Sequence, residues 1–245
     1  MGKVIVIESK NGSSNIDKSR QATNISNLEE DKKQWQKIEK GDTKNKVIPT
    51  LRSRLEKNFE YYGFQSKEDI DFAAIQKLAS AYLKADPWLQ INYCRDSTRQ
   101  SIDECVQTET LKKYINNSFE NIANGKEVPF NGRLVFKKEA VGLNGKQVKA
   151  RSIDAIGEVN GRKVKLFQKY SKVSGSGQSH QTLETQNWLE ECAKIHDKTI
   201  LFVAQLDGGE AESHIPELQQ QIKNYSNMFV GNSEQVIDWL TNFNK

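Results

Sequence analysis

Cysteine and histidine are scarce in this chain of 245 residues, with three of each. Cys94, Cys105 and Cys192 show no CxxC spacing and are odd in number. That argues against a disulfide frame or a cysteine-based zinc site, and they read as reduced, mostly buried thiols. His180, His196 and His214 are scattered, with no HExxH and no i,i+4 pair, which argues against a histidine-based metal site. Long apolar runs are also missing. Nothing approaches the roughly 20 residues that span a bilayer, and "MGKVIVIESKNG" lacks the charged, apolar, then small-residue order of a signal peptide. The expectation is a cytoplasmic protein with no membrane partner.

What is present is 36% hydrophobic and 28% charged residues, the balance of a soluble globular protein with a core of real size. The net charge of +4 hides an asymmetry. Residues 131–173 carry 11 Lys and Arg against 3 Asp and Glu, whereas residues 174–245 carry 4 against 10. A basic block of that density is the footprint of a phosphate-binding surface, with a solvated sheet edge as the simpler alternative.

Periodicity divides the chain into three. Residues 1–10 read as a short strand, and the polar remainder of 1–46 reads as a loosely attached arm with a weak helical stretch near 27–40. Residues 47–130 are helical. "VIPTLRSRLEKNFEYYGF" sets Leu51, Leu55, Phe59 and Tyr62 at helical spacing. The next helix opens with a Ser66-to-Asp69 capping box, repeats Ile75, Leu78, Ala79 and Tyr82, and stops before Pro87. A third helix is expected over 108–123. From 131 the period changes: "GRLVFKK", "KQVKARSIDAIGEV" and "RKVKLFQKYSK" read as strands joined at Asn144-Gly145 and Asn160-Gly161, dipeptides that favour tight hairpins. A helix to about 196, the buried strand "KTILFVAQL", the helix "IPELQQQIKNY", the strand "NMFVG" and the helix "NSEQVIDWLTNF" complete an α/β fold with a mixed sheet flanked by helices.

The stretch "SIDAIGEVNGRKVKLFQKYSK" carries the candidate chemistry. With a two-residue turn at Asn160-Gly161, Asp154 faces Phe167 and shares a face with Lys169. With a bulged three-residue loop the pairing slips by one, and Gln168 and Tyr170 share that face instead.

In element order and in this hairpin, residues 131–245 resemble the restriction-endonuclease-like superfamily of PD-(D/E)xK nucleases, the type II restriction endonucleases among them. The resemblance implies a restriction-endonuclease-like core that cleaves double-stranded DNA, with Mg2+ held by an Asp on one strand and a Glu-x-Lys on the next. Asp154 fits the first role, but no Glu-x-Lys follows on the second strand. Some members have moved the acidic residue to the following helix, and Glu184 in "SHQTLETQNW" stands where that arrangement would put it. The implied set is Asp154 and Glu184 as metal ligands and Lys169 as the residue that orients water or phosphate; Gln168 is the alternative amide ligand in the slipped register. Glu8-Ser9-Lys10, a literal Glu-x-Lys, has no Asp strand before it and reads as an edge strand.

The DNA-contacting candidates are Arg95 and Arg99 in "YCRDSTRQS", Arg151 and Lys172 in the basic block, and Ser174, Ser176 and Gln178 in the loop "VSGSGQSH". The helical region would then embrace DNA or form a homodimer suited to a palindromic site. Two other classes stay open: a nucleic-acid-binding module on the same fold without catalysis, and a scaffold whose basic hairpin meets an acidic protein.

Overall fold

The computed structural model describes residues 3–87, 89–90, 99–122, 127–142, 145–148, 150–171 and 178–243. The chain forms two compact units. The smaller comprises residues 1–4 and 20–97, the larger residues 5–19 and 98–245. This division differs from the one expected from periodicity, because the N-terminal segment is not a loose arm. Residues Gly12–Glu39 form a single helix, α1.

The reason lies in which side chains α1 hides. Asn15, Ser19, Thr23, Asn27, Asp31 and Gln34 recur every three or four residues, and all are buried. Their partners include main chain. The amides of Val4, Val6 and Glu8 donate to Thr23 Oγ1, Ser19 Oγ and Asn15 Oδ1 at 3.1, 2.8 and 3.1 Å. Residues 3–8 are not the strand expected over 1–10: among the described residues they carry no regular secondary structure, and their amides bond to the side chains of a helix. Glu8 and Lys10 are spent in ion pairs, with Lys18 and with Asp238.

The smaller unit packs the rest of α1 against α2 (Ile48–Lys57) and α3 (Phe72–Lys84). Trp35, Ile38, Leu51, Leu55, Ile75, Leu78 and Tyr82 form its core. Trp35 meets Tyr82 edge to face at 5.2 Å, the aromatic geometry that adds to simple burial. The Ser66–Asp69 box closes one 3-10 turn, and Asp71 caps α3 through the Ala74 amide. The apolar stripe expected of α3 is buried, although the helix starts later than the box implied.

The larger unit opens with α4 (Arg99–Tyr114), which lies earlier than the helix expected over 108–123. Strands β1 (Glu120–Asn121), β4 (Ala155–Val159), β5 (Arg162–Tyr170), β6 (Ile200–Asp207) and β7 (Met228–Gly231) form a mixed sheet in the order β1-β4-β5-β6-β7. The β1–β4 and β4–β5 pairs are antiparallel; β5–β6 and β6–β7 are parallel. A separate hairpin joins β2 (Glu127–Phe130) to β3 (Arg133–Phe136). Only Ala155–Val159 of the stretch "KQVKARSIDAIGEV" is a strand of the sheet, with a single bridge between Val141 and Gln147 before it.

Helices cover both faces. On one, α5 (Gln178–Ala193) and α7 (Ile215–Ile222) bury Trp188, Leu189 and Leu218 against Phe167, Phe202, Ala204 and Leu206. On the other, α4 and α8 (Ser233–Asn242) bury Leu111, Val236, Ile237 and Leu240 against Ala155, Leu166, Leu201 and Val203. The short α6 (Gly209–Ser213) follows β6. Strand β6 is buried at all eight positions, as a strand with parallel neighbours and two covered faces requires. Among the described residues no helix is long and apolar enough to cross a membrane.

Candidate functional site

The turn between β4 and β5 decides what meets Asp154. Asn160 and Gly161 have φ of 50° and 75°, the left-handed pair of a two-residue type I′ turn. Val159 pairs with Arg162, and the ladder runs on to Ala155 opposite Leu166. The amide of Asp154 then donates to Leu166 O at 2.8 Å, just beyond the Ala155–Leu166 pair at which the ladder ends. The unslipped register is the observed one.

Lys169 follows Phe167 on the face of β5 covered by α5, and Asp154 lies near enough for its charge and that of Lys169 to act on one another. Asp154 Oδ2 accepts the backbone N–H of Gln168 at 2.8 Å, and Oδ1 takes no hydrogen bond from the described residues. Lys169 Nζ stands 5.0 Å from the Phe167 ring centroid, and Phe167 stacks on Trp188 of α5 at 5.4 Å. Burial pushes the Asp154 carboxyl above its ordinary value, against the Gln168 N–H and the charges of Lys169 and Arg151. Burial likewise pushes the Lys169 ammonium below its ordinary value, opposed by Asp154 and Glu104 and aided by Arg151. Each charge eases the burial of the other.

Glu184 is on α5 as expected, but its carboxylate forms an ion pair with Arg151. It is not among the charges that act on Asp154 or Lys169. Both members of the pair line a cleft of about 250 Å³ beside Phe130, Trp188 and Asn187. A smaller cavity of about 20 Å³, room for one water, lies between Lys169, Thr182, Thr185, Glu210 and His214.

Gln168 points the other way. It is 1% exposed, and its amide joins a buried polar chain on the α4 face. Thr108 Oγ1 donates to its Oε1 at 3.2 Å, and its Nε2 donates to Gln205 Oε1 at 3.0 Å. Gln205 continues to Ser233 Oγ, and Ser233 to Asp207. Strand alternation separates Gln168 from Asp154, so the amide-ligand alternative has no geometric support.

One charged group that acts on Lys169, Glu104, had no part in the sequence reading. Glu104 lies on α4 ahead of the helix expected there, so nothing in the periodicity connected it to Lys169. Arg151 was expected to meet DNA, yet it is also the link between Glu184 and the Asp154–Lys169 pair. Arg95, Lys172, Ser174 and Ser176 lie outside the described residues. Arg99 and Gln178 open α4 and α5, and their side chains also fall outside what is described.

The donor chemistry fits a hard divalent cation, since both candidate ligands are carboxylates. Among the described residues, however, no three His, Cys, Asp or Glu side chains are grouped as a metal site. Asp154 and Glu184 are held by different partners. Comparison with known sequences gives no matching family model and no matching curated protein.

Proposed function

We propose that this chain is a Mg2+-dependent endodeoxyribonuclease with a restriction-endonuclease-like core, acting on double-stranded DNA as a cytoplasmic homodimer of the type II restriction class. The observation that carries the reading is the nearness of Asp154 and Lys169, whose charges act on one another, at the open end of the β4–β5 hairpin next to two parallel strands. In this reading the carboxylate and the ammonium would act together on a phosphodiester and its attacking water. Asp154 and Glu184 would hold the cation. When bound, it supplies a more acidic water and stabilises charge on the phosphate. Lys169, fixed over Phe167, orients the water or the phosphate oxygen. Arg151, half exposed, offers a guanidinium to the DNA backbone.

One observation favours a second reading, a nucleic-acid-binding module without catalysis. Phe167 occupies the position of the superfamily's second acid, and Glu184 is tied to Arg151. Digestion of mixed plasmid and phage DNA in Mg2+, beside EDTA and Asp154→Ala, separates the two. Discrete Mg2+-dependent bands lost in the variant support the nuclease. Uncut DNA that still shifts on a gel, with salt-sensitive affinity, supports the module. Elution as a monomer with and without DNA would count against the dimer.

A further inference from the structure

Two charged groups at the end of the hairpin, Arg151 and Glu184, form an ion pair, and the charge of Arg151 also acts on Asp154 and Lys169. Arg151 precedes Asp154 by three residues. The side chains of Arg151 and Glu184 remain 47% and 25% exposed. A pair this open to solvent holds weakly enough to be exchanged for stronger partners.

Each member has such a partner in the chemistry proposed above. A guanidinium takes phosphate oxygens in a bidentate fork, and a carboxylate is a hard ligand for a divalent cation. While the two are joined, Glu184 is a poor ligand, because a full positive charge already sits on its oxygens. Resting on the nuclease reading, we infer that the Arg151–Glu184 pair is a gate: Glu184 joins Asp154 in holding a divalent cation only when Arg151 has moved to a DNA phosphate. Phosphate and metal binding are then positively linked, each raising the affinity of the other by the same factor. The gate keeps the chain from assembling a complete metal site away from DNA.

The test measures metal binding with no DNA present and needs no cleavage. Mn2+ binding to the full-length chain is titrated by electron paramagnetic resonance for wild type, Arg151→Gln, Arg151→Lys, Glu184→Gln, Asp154→Asn and Arg151→Gln with Glu184→Gln. Circular dichroism melts confirm that each variant is folded. Arg151→Gln is expected to bind Mn2+ about fivefold tighter than wild type or better, the lower end of ordinary coupling between sites. Arg151→Lys should fall between them, since an ammonium lacks the fork. The gain should vanish in the double variant, and Asp154→Asn should abolish binding. Equal affinity of Arg151→Gln and wild type, or a gain that survives in the double variant, overturns the gate. If Asp154→Asn leaves Mn2+ binding unchanged, the metal-site reading falls and the gate falls with it. If Asp154→Asn abolishes binding while Arg151→Gln gains nothing, the gate alone is lost.

Discussion

Lys169 Nζ lies 5.0 Å from the centroid of Phe167, two residues back on the same face of β5. On the nuclease reading, the aromatic ring stands where an acid would be expected. It is not a free surface position: Phe167 is 1% exposed and stacks between Lys169 and Trp188. The ring thus holds the lysine and fills the core beneath it.

Phe167→Glu would restore the Glu-x-Lys spelling but not the site. A carboxylate would enter an apolar layer with Trp188, Phe202 and Leu189 and leave a void. We expect a loss of about 3 kcal/mol or more in folding stability, with no gain in metal affinity. Thermal melts beside the milder Phe167→Leu check it.

Asp154→Asn keeps an oxygen for the Gln168 N–H, so the hairpin should hold. Cleavage should fall by on the order of 10²-fold or more, the scale on which removing one polar group from a catalytic constellation acts. Initial cleavage rates, read beside an unchanged gel shift, give the result.

The same substitution should change how stability depends on pH. Burial raises the Asp154 carboxyl above its ordinary 3.8, so the folded chain holds this proton more readily than the unfolded one. Its contribution is fully present below 3.8 and is lost as pH rises through the folded value. Asp154→Asn should therefore gain on wild type between pH 4 and pH 7. Urea midpoints at both pH values measure the difference.

Asp207 should matter for the fold and not for chemistry. Fully buried at the end of β6, it accepts from Gln107 Nε2 at 2.7 Å, from the Ser233 amide at 3.0 Å and from Ser233 Oγ at 2.7 Å. Asp207→Ala strands these donors and should cost about 3 kcal/mol. Chemical denaturation reads that cost.

Local rules settled much of this protein in advance. Asn160-Gly161 marked the hairpin and narrowed its register to two, and the left-handed pair of a type I′ turn is the one observed. Apolar periodicity located β5, β6, β7 and the helices between them, because those elements bury one stripe or both faces. The α1 stripe escaped the same reasoning: its buried residues are polar, and they repeat at helical spacing to satisfy an extended main chain.

Tertiary structure decided which charges meet. Whether Glu184 faces Asp154 or Arg151 depends on how α5 lies on the sheet, and the charge of Glu104 acts on Lys169 from a helix some sixty positions earlier. The sequence by itself determined the apolar strands and helices of the second half and the site of the β4–β5 turn, because these follow from backbone geometry and burial within a few residues. The partners of Glu184, Gln168 and Arg151 were decided only by packing, because electrostatic contacts form between side chains whose distance no local spacing specifies.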